Sequence, residues 1–409
     1  MTGVEPKDQG HPIEAPASGM SMLSMAGIFL KLGAIGFGGG MAVIAMMENE
    51  FVTRRRQFTI DEFLHGVGMA QILGPFAPNA AFFLGYRKHG LAGAILSVLA
   101  FLLPSISIVI LLSFLYFRYH TIPALQDVFA GLGPVVIALV LSAAWSMGRS
   151  AVKSWIAVMF ALVGIAAGAF RINPAWVLLA AGAVGLLIGQ ERISPASGSG
   201  KPPEKLCQKP KQSPSNGTLL SVAAPVIGTA AIISLPALAI AFFKVGMVFF
   251  GGGFVLIPVL YQRIVEEYRW LTPSQFVDGV AISNLTPGPI AVLATFTGFH
   301  LQGISGAILA TASIFAPAML LMTVISAGYD RFKDSSRAKD FLAGVTPTVV
   351  GLVASAVLLL WPSTIASWRA VVLMIVALAL LVRFKWHPAF VLALGAGLAA
   401  QGIVASGVN

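Results

Sequence analysis

Two lysines each stand six residues before the same four-residue run. Lys31 precedes Phe37-Gly38-Gly39-Gly40, and Lys244 precedes Phe250-Gly251-Gly252-Gly253. Farther along, a proline–glycine break interrupts an apolar stretch in each place: LGPFAPN at 73–79 and LTPGPI at 285–290. Together these residue types suit the noncovalent capture of an anion. Glycine lets a backbone approach a ligand closely. A broken helix exposes N–H groups and the positive end of the peptide dipole, and a lysine adds a full charge. The candidate binding residues are therefore Lys31, Phe37, Gly38, Gly39, Gly40, Gly74 and Pro75, with Lys244, Phe250, Gly251, Gly252, Gly253, Asn284, Pro287, Gly288 and Pro289. Two plainer readings compete. Glycine patches also serve close helix packing, and Lys244, near the start of its apolar run, could snorkel to an interface.

Such groups need elements to hold them, and the composition says where those elements lie. Of the 409 residues, 57% are hydrophobic and 10% are charged, against about 25% charged in soluble domains. Too little polar side chain remains to cover a water-soluble surface. Apolar stretches of membrane-spanning length recur along the chain. The expectation is an all-α polytopic membrane protein with lipid as its outer solvent. Its net charge of +10 sits in short loops without a nucleic-acid motif, so membrane orientation and anion attraction explain it. The start of the chain lacks a basic region followed by a short apolar core, so no cleavable signal is expected.

The chain is duplicated. Shifted by about 213 residues, Lys31 meets Lys244, Gly33 meets Gly246, FGGG meets FGGG, Arg56 meets Arg269, and Pro104 meets Pro317. GAIL at 93–96 meets GAIL at 306–309, Trp155 meets Trp368, and NPAWVLLA at 173–180 meets HPAFVLAL after one inserted residue. The expected organisation is a polar tail over 1–20, a first repeat over 21–190, and a polar basic linker over 191–217. An extra hydrophobic segment over 218–237 and a second repeat over 238–409 follow. That makes about 12–13 hydrophobic segments in all.

The unmatched segment changes parity, so equivalent helices should point in opposite directions, as inverted repeats do. Loop charges test this through the positive-inside rule. With the basic linker placed in the cytoplasm, Arg87, Lys88, Arg149 and Lys153 fall inside, as do Arg331, Lys333, Arg337, Lys339, Arg383 and Lys385. The counterpart of Arg87-Lys88, HLQG at 300–303, carries no lysine or arginine and falls outside. Arg54, Arg55 and Arg56 disagree: they fall outside if 63–86 spans, and move if that segment is a re-entrant hairpin. The sequence leaves both open, as it does for 276–299.

Each repeat also shows a capping-box pattern before its second apolar segment, Thr59…Glu62 and Thr272…Gln275. Asp127 and Asp340 begin helices, where a carboxylate favours the dipole. Arg118 and Arg331 are expected to anchor helix ends. Broken membrane helices survive where they are buried or line a watery cavity, and secondary transporters place such breaks in pairs in inverted repeats. No cofactor or metal is expected: the single cysteine, Cys207, lies in the linker, and no histidine pattern such as HExxH occurs. No Ser/His/Asp spacing or nucleotide loop supports an enzyme. A non-transporting sensor or assembly partner stays as a rival class.

At these residues the sequence resembles the chromate ion transporter family, in its long-chain two-domain form. The resemblance rests on the paired FGGG runs, SNLTPGPIAVLATFTGF at 283–299, GAIL followed by Pro104 or Pro317, and GVTPTVVGL at 344–352. It implies a multi-pass protein of the bacterial inner membrane that exports chromate on the proton-motive force and confers chromate resistance. The implied partners are chromate or a similar oxyanion and the lipid bilayer, without nucleic acid; a homo-oligomer is left open. The alternative is a transporter of sulfate or another small anion that handles chromate incidentally. The first repeat departs from the pattern, with Gly74-Pro75-Phe76 where the second has Pro287-Gly288-Pro289.

Overall fold

The computed structural model of the protein describes residues 20–36, 40–72, 74–119, 122–189, 193, 234–248, 253–327 and 336–401. Among these residues every regular element is a helix. The first repeat contains α1 (Met22–Ile35), α2 (Gly40–Glu48) with a π-helical turn at Asn49–Arg54, and α3 (Ile60–Ile72). It continues with α4 (Phe76–Tyr119), α5 (Pro123–Ala151), α6 (Trp155–Ala169) and α7 (Pro174–Ile188). The second repeat opens with α8 (Leu235–Met247), then α9 (Leu256–Leu260) between a 3-10 turn at Gly253–Val255 and a π-helical turn at Tyr261–Glu267. There follow α10 (Pro273–Leu285), a 3-10 turn at Ile290–Val292, α11 (Leu293–Ala327), α12 (Ser336–Thr364), α13 (Trp368–Val382) and α14 (Pro388–Ala400). Side chains cap many of the starts: Ser21, Ser154, Asn173, Thr272, Ser367 and His387 each accept from a backbone N–H in the first turn.

Among the described residues, four helical stretches are long and apolar enough to cross a membrane: Phe76–Tyr119, Leu125–Ala151, Ile290–Ala327 and Lys339–Thr364. Two of them bend sharply inside. α4 leaves helical geometry at His89–Gly90 and α11 at Gln302–Gly303, where Gly90 and Gly303 take φ of 62° and 60°. A left-handed residue is natural for glycine and strained for most others. Each therefore consists of a short arm, 76–88 or 293–301, and a long crossing helix, 91–119 or 304–327.

The expected segments 21–47 and 63–86 do not run straight through. A continuous helix would hold Phe29 and Phe51 about 33 Å apart, yet their ring centroids lie 5.0 Å apart. A Cβ at Gly36 would lie 3.0 Å from Val43 Cγ2. α1 and α2 thus form the two arms of a hairpin; residues 37–39, which join them, lie outside the described residues. Likewise Glu62 pairs with Arg87 at 2.7 Å, and Asn79 Nδ2 donates to the Ala70 carbonyl at 3.4 Å. Gly66 leaves room for the Phe83 ring. So 60–88 is a second hairpin with its tip at Gly74-Pro75. The second repeat does the same: Phe242 lies against Trp270, with centroids 6.2 Å apart, and Gly279 makes room for Phe296. Both ambiguous segments re-enter.

Re-entry resolves the arginine anomaly. With 60–88 folded back, Arg54, Arg55 and Arg56 lie at the same end of the bundle as Arg87 and Lys88; Lys88 sits over the Phe58 ring, 4.9 Å from its centroid.

The halves are interlocked. α6 and α7 of the first repeat pack on α12 of the second, and α13 and α14 of the second pack on α5 of the first. Gly131 of α5 abuts Gly395 and Ala399, while its counterpart Gly344 of α12 abuts Ala181 and Gly185. This reciprocity is what a pseudo-two-fold axis requires. α5 and α12, the equivalent central helices, run antiparallel: a Cβ at Gly133 would lie 3.0 Å from Thr364, and one at Gly148 3.5 Å from Val350. An axis that relates antiparallel helices lies perpendicular to them, hence in the plane of a membrane they cross. The repeats are inverted. Arg171 from the first repeat accordingly meets Glu266 of the second at 3.0 Å, at the end opposite Arg87.

The core follows the same symmetry. Leu132 and Val135–Val140 of α5 are buried, as are Val349, Leu352, Val353 and Ala356 of α12. Outward, Leu187, Phe170, Trp155 and Trp368 are among the large apolar side chains left exposed. The two tryptophans, at opposite ends of the bundle, suit the two interfaces of a bilayer. The chain is a multi-pass membrane protein. The extra hydrophobic segment expected over 218–237 lies outside the described residues as far as 233. Gly189, which follows α7, and Leu235, which begins α8, stand at opposite ends of the bundle.

Candidate functional site

The candidate site lies where the hairpins meet. In each repeat the start of the first hairpin's returning arm touches the start of the second's. A Cβ at Gly40 would lie 2.9 Å from the Phe76 ring, and one at Gly253 3.2 Å from Ile290 Cγ2. Gly40, Phe76, Gly253 and Ile290 are all first residues of helical arms. Four helix starts therefore gather at two contacts, and the first N–H groups of a helix have no partner within it. The remaining residues of the glycine runs, Phe37, Gly38, Gly39, Phe250, Gly251 and Gly252, lie outside the described residues.

The second hairpin's tip in the second repeat crosses to the other half. Ser105, midway along the crossing helix 91–119, lies 3.4 Å from Thr286 with either hydroxyl able to donate. Thr286 Oγ1 also donates to the Ser283 carbonyl at 3.0 Å. Gly288 faces Ser105 so closely that a Cβ would fall 2.6 Å from its hydroxyl oxygen, and its φ is 144°. Gly74 takes φ of 110° in the first repeat. Pro75, Pro287, Gly74 and Thr286 are buried, while Gly288, Pro289 and Asn284 are half-buried. Asn284 Nδ2 donates back to the Val280 carbonyl at 2.8 Å. Proline at 75, 287 and 289 removes backbone donors that would otherwise close these turns into helix.

The lysines stand apart from the tips. α1 packs through Met25, Ile28, Phe29, Leu32 and Gly33, and Lys31 is exposed on the other face beside Leu30 and Ile35. Lys244 is exposed too, along a groove of about 460 Å³ lined by Ile240, Phe243, Met247 and Ala316. Gly33 and Gly246, two residues beyond, serve packing: each lies against a carbonyl, of Phe101 and Ile314.

One pair escaped the sequence reading. Asp278, buried in α10, accepts a 2.7 Å hydrogen bond from the hydroxyl of Tyr116 on the crossing helix 91–119. The available signal was a lone carboxylate in an apolar arm, since intramembrane ionisable residues are functional candidates by default. Ser105 carried no such signal.

Glycine-lined turns and inverted hairpins of apolar helices frame this candidate site, and the comparisons with known proteins converge on one family. The sequence profile of the family described as Chromate transporter matches residues 23–186 and 236–400, once per repeat. The chain is 32% identical to the chromate transport protein of Cupriavidus metallidurans, over 99% of this chain and 98% of that one. It is 31% identical to the "Probable chromate transport protein" of Synechococcus elongatus, over 83% of this chain and 84% of that one. The chromate transport protein of Pseudomonas aeruginosa is 31% identical, over 83% and 81% respectively. No solved structure matches. With its profile matched in both halves and a relative aligned nearly end to end, the chain belongs to the chromate transporter family.

Proposed function

We propose that the protein is a secondary active transporter that exports chromate across the inner membrane, driven by the proton-motive force, and thereby confers chromate resistance. One observation supports the reading: inverted hairpins seat Gly40 on Phe76, Gly253 on Ile290 and Gly288 on Ser105, where helix starts and proline–glycine turns meet. Chromate is a tetrahedral divalent oxyanion, and helix starts hold such groups through N–H donors and dipole charge without covalent chemistry. The site comprises the two glycine runs, Phe37–Gly40 and Phe250–Gly253, with Gly74, Pro75, Asn284, Pro287, Gly288 and Pro289. Lys31 and Lys244 contribute positive potential from one arm away. Inverted repeats supply alternating access by rocking one set of elements against another. The basic end, with Arg54, Arg87, Arg149 and Lys385, faces the cytoplasm. The names of the relatives support chromate as the cargo.

Uptake of labelled chromate into inverted membrane vesicles tests this. The expected result is accumulation that needs an imposed proton gradient and resists excess sulfate. Accumulation abolished by sulfate points instead to a carrier of sulfate-like anions. No uptake by inserted protein overturns the proposal.

A further inference from the structure

We propose that Asp278 is the proton-carrying group of this transporter, and that Tyr116 positions it. The inference rests on the transport reading above and adds where the coupling proton binds.

The geometry singles out Asp278. It lies five residues into the arm that starts at Pro273, so about 8 Å along that arm from the end opposite the basic one. It is 6% exposed. Among the described residues no ion pair reaches it, and Tyr116 supplies its side-chain hydrogen bond. An ionised carboxylate held without a cation in such a place is unfavourable, and a protonated one is neutral. The Tyr116 hydroxyl serves both states: it donates to the carboxylate, and it accepts from the O–H of the acid.

The surroundings leave Asp278 to titrate alone. From the preceding arm, Tyr261 is buried and stacks edge-on against Phe276, two residues before Asp278. Arg263, Glu266 and Glu267 are part-exposed and pair with Glu267, Arg171 and Arg263 respectively. From the following arm, His300 stacks on Phe117, 4.4 Å between centroids. On the crossing helix, Tyr116 is the contact and Arg118 and Tyr119 follow it toward the helix end. On α5, Asp127 is exposed and Arg149 lies at the basic end; on α12, Arg337, Lys339 and Asp340 lie at the basic end as well. α14 brings no ionisable side chain of its own.

The pair also sits where a proton can be felt by the cargo. The hairpin 273–301 docks on the crossing helix at two places, Asp278 on Tyr116 and the Thr286–Gly288 tip on Ser105. One lies on the arm α10 and the other on the tip that directly follows it, and both meet the same opposing helix. A proton taken from water at the outer end neutralises the carboxylate and reverses the Tyr116 hydrogen bond. Its later release to water on the other side restores the carboxylate; no electrons move. Charge at one docking point thus biases the seating of the tip at the other. The first repeat has His65 at the equivalent position, and it is exposed, so the buried acid belongs to one hairpin.

The test uses purified protein in liposomes with labelled chromate. Asp278→Asn is expected to lose at least about tenfold of gradient-driven accumulation while keeping gradient-free exchange of labelled for unlabelled chromate within about twofold. Chromate added to wild-type protein in weak buffer releases protons, and the Asn variant, still binding chromate, releases none. Tyr116→Phe keeps accumulation and displaces its pH profile, whereas a structural role lowers transport equally at every pH. Gradient-driven accumulation by Asp278→Asn at the wild-type rate overturns the inference and leaves the transport reading intact. So does wild-type protein that binds chromate without releasing protons, an outcome that holds even if the Asn variant fails to fold. Wild-type protein that neither binds nor exchanges chromate removes the transport reading itself.

Discussion

The hairpins 60–88 and 273–301 are copies of one device with different contents. Their scaffolding matches position by position: Gly66 receives Phe83 as Gly279 receives Phe296, and each hairpin ends in a sharp glycine bend, at Gly90 or Gly303. Their chemistry does not match. The second holds a buried acid bonded to the other half, and the first places the exposed His65 there. The first ties its arms with Asn79, where the second has Val292. Even the tips differ in register: Gly74 aligns with Pro287, and Gly288 with Pro75. Duplication has kept what folds the hairpin, and divergence has changed the side chains that the hairpin presents.

The bases of the hairpins show the same division. In the second repeat the capping box is complete: the Gln275 N–H donates to Thr272 Oγ1 at 3.2 Å, and the Thr272 N–H donates to Gln275 Oε1 at 2.9 Å. In the first, the Glu62 N–H donates to Thr59 Oγ1 at 3.2 Å, but the Glu62 carboxylate turns to Arg87 instead of closing the box. An arginine on the neighbouring arm outcompetes a backbone N–H for a carboxylate because the pair is charge-assisted.

The largest effect is expected at the tips. Gly288→Val combines a φ closed to branched side chains with a clash at Ser105. It should destabilise by about 2–4 kcal/mol and abolish transport. Gly74→Ala meets backbone strain at φ of 110°, so about 1–2 kcal/mol is expected. Thermal unfolding in detergent beside transport checks both; equal losses would make the tips equivalent and break the comparison. The bases give smaller effects. Thr272→Ala should lower stability by about 1 kcal/mol through its cap. Arg87→Gln should lower it by less than about 1 kcal/mol, because the pair is partly exposed and screened. The reverse order would mean that the first hairpin depends on its ion pair as the second depends on its capping box.

Much of this architecture is legible in the sequence. The shift of about 213 residues is visible because glycines, prolines and loop charges recur at fixed offsets, and the Pro-Gly breaks mark both tips. Re-entry is not legible. An apolar run such as 63–86 is long enough to span, and its folding back is decided by Glu62 with Arg87 and Gly66 with Phe83, contacts between arms that periodicity does not encode. The three arginines at 54–56 were the visible sign that something had to fold back. Asp278 was legible as an oddity, but its partner Tyr116 is 162 residues away in the other half. Lys31 and Lys244 stand out in sequence, and the fold sets them on outer faces, because the glycines beside them pack against neighbouring backbone.

The central claim, that both halves hold re-entrant hairpins in opposite orientations, is tested most directly by site-directed labelling. Replacing the single cysteine by Cys207→Ser allows one new cysteine at a time: Thr53→Cys, Arg383→Cys or Ser305→Cys. A membrane-impermeant maleimide should label Thr53→Cys and Arg383→Cys in inverted vesicles only, and Ser305→Cys in intact cells. Labelling of Thr53→Cys from the same side as Ser305→Cys would make 63–86 a span and contradict the account.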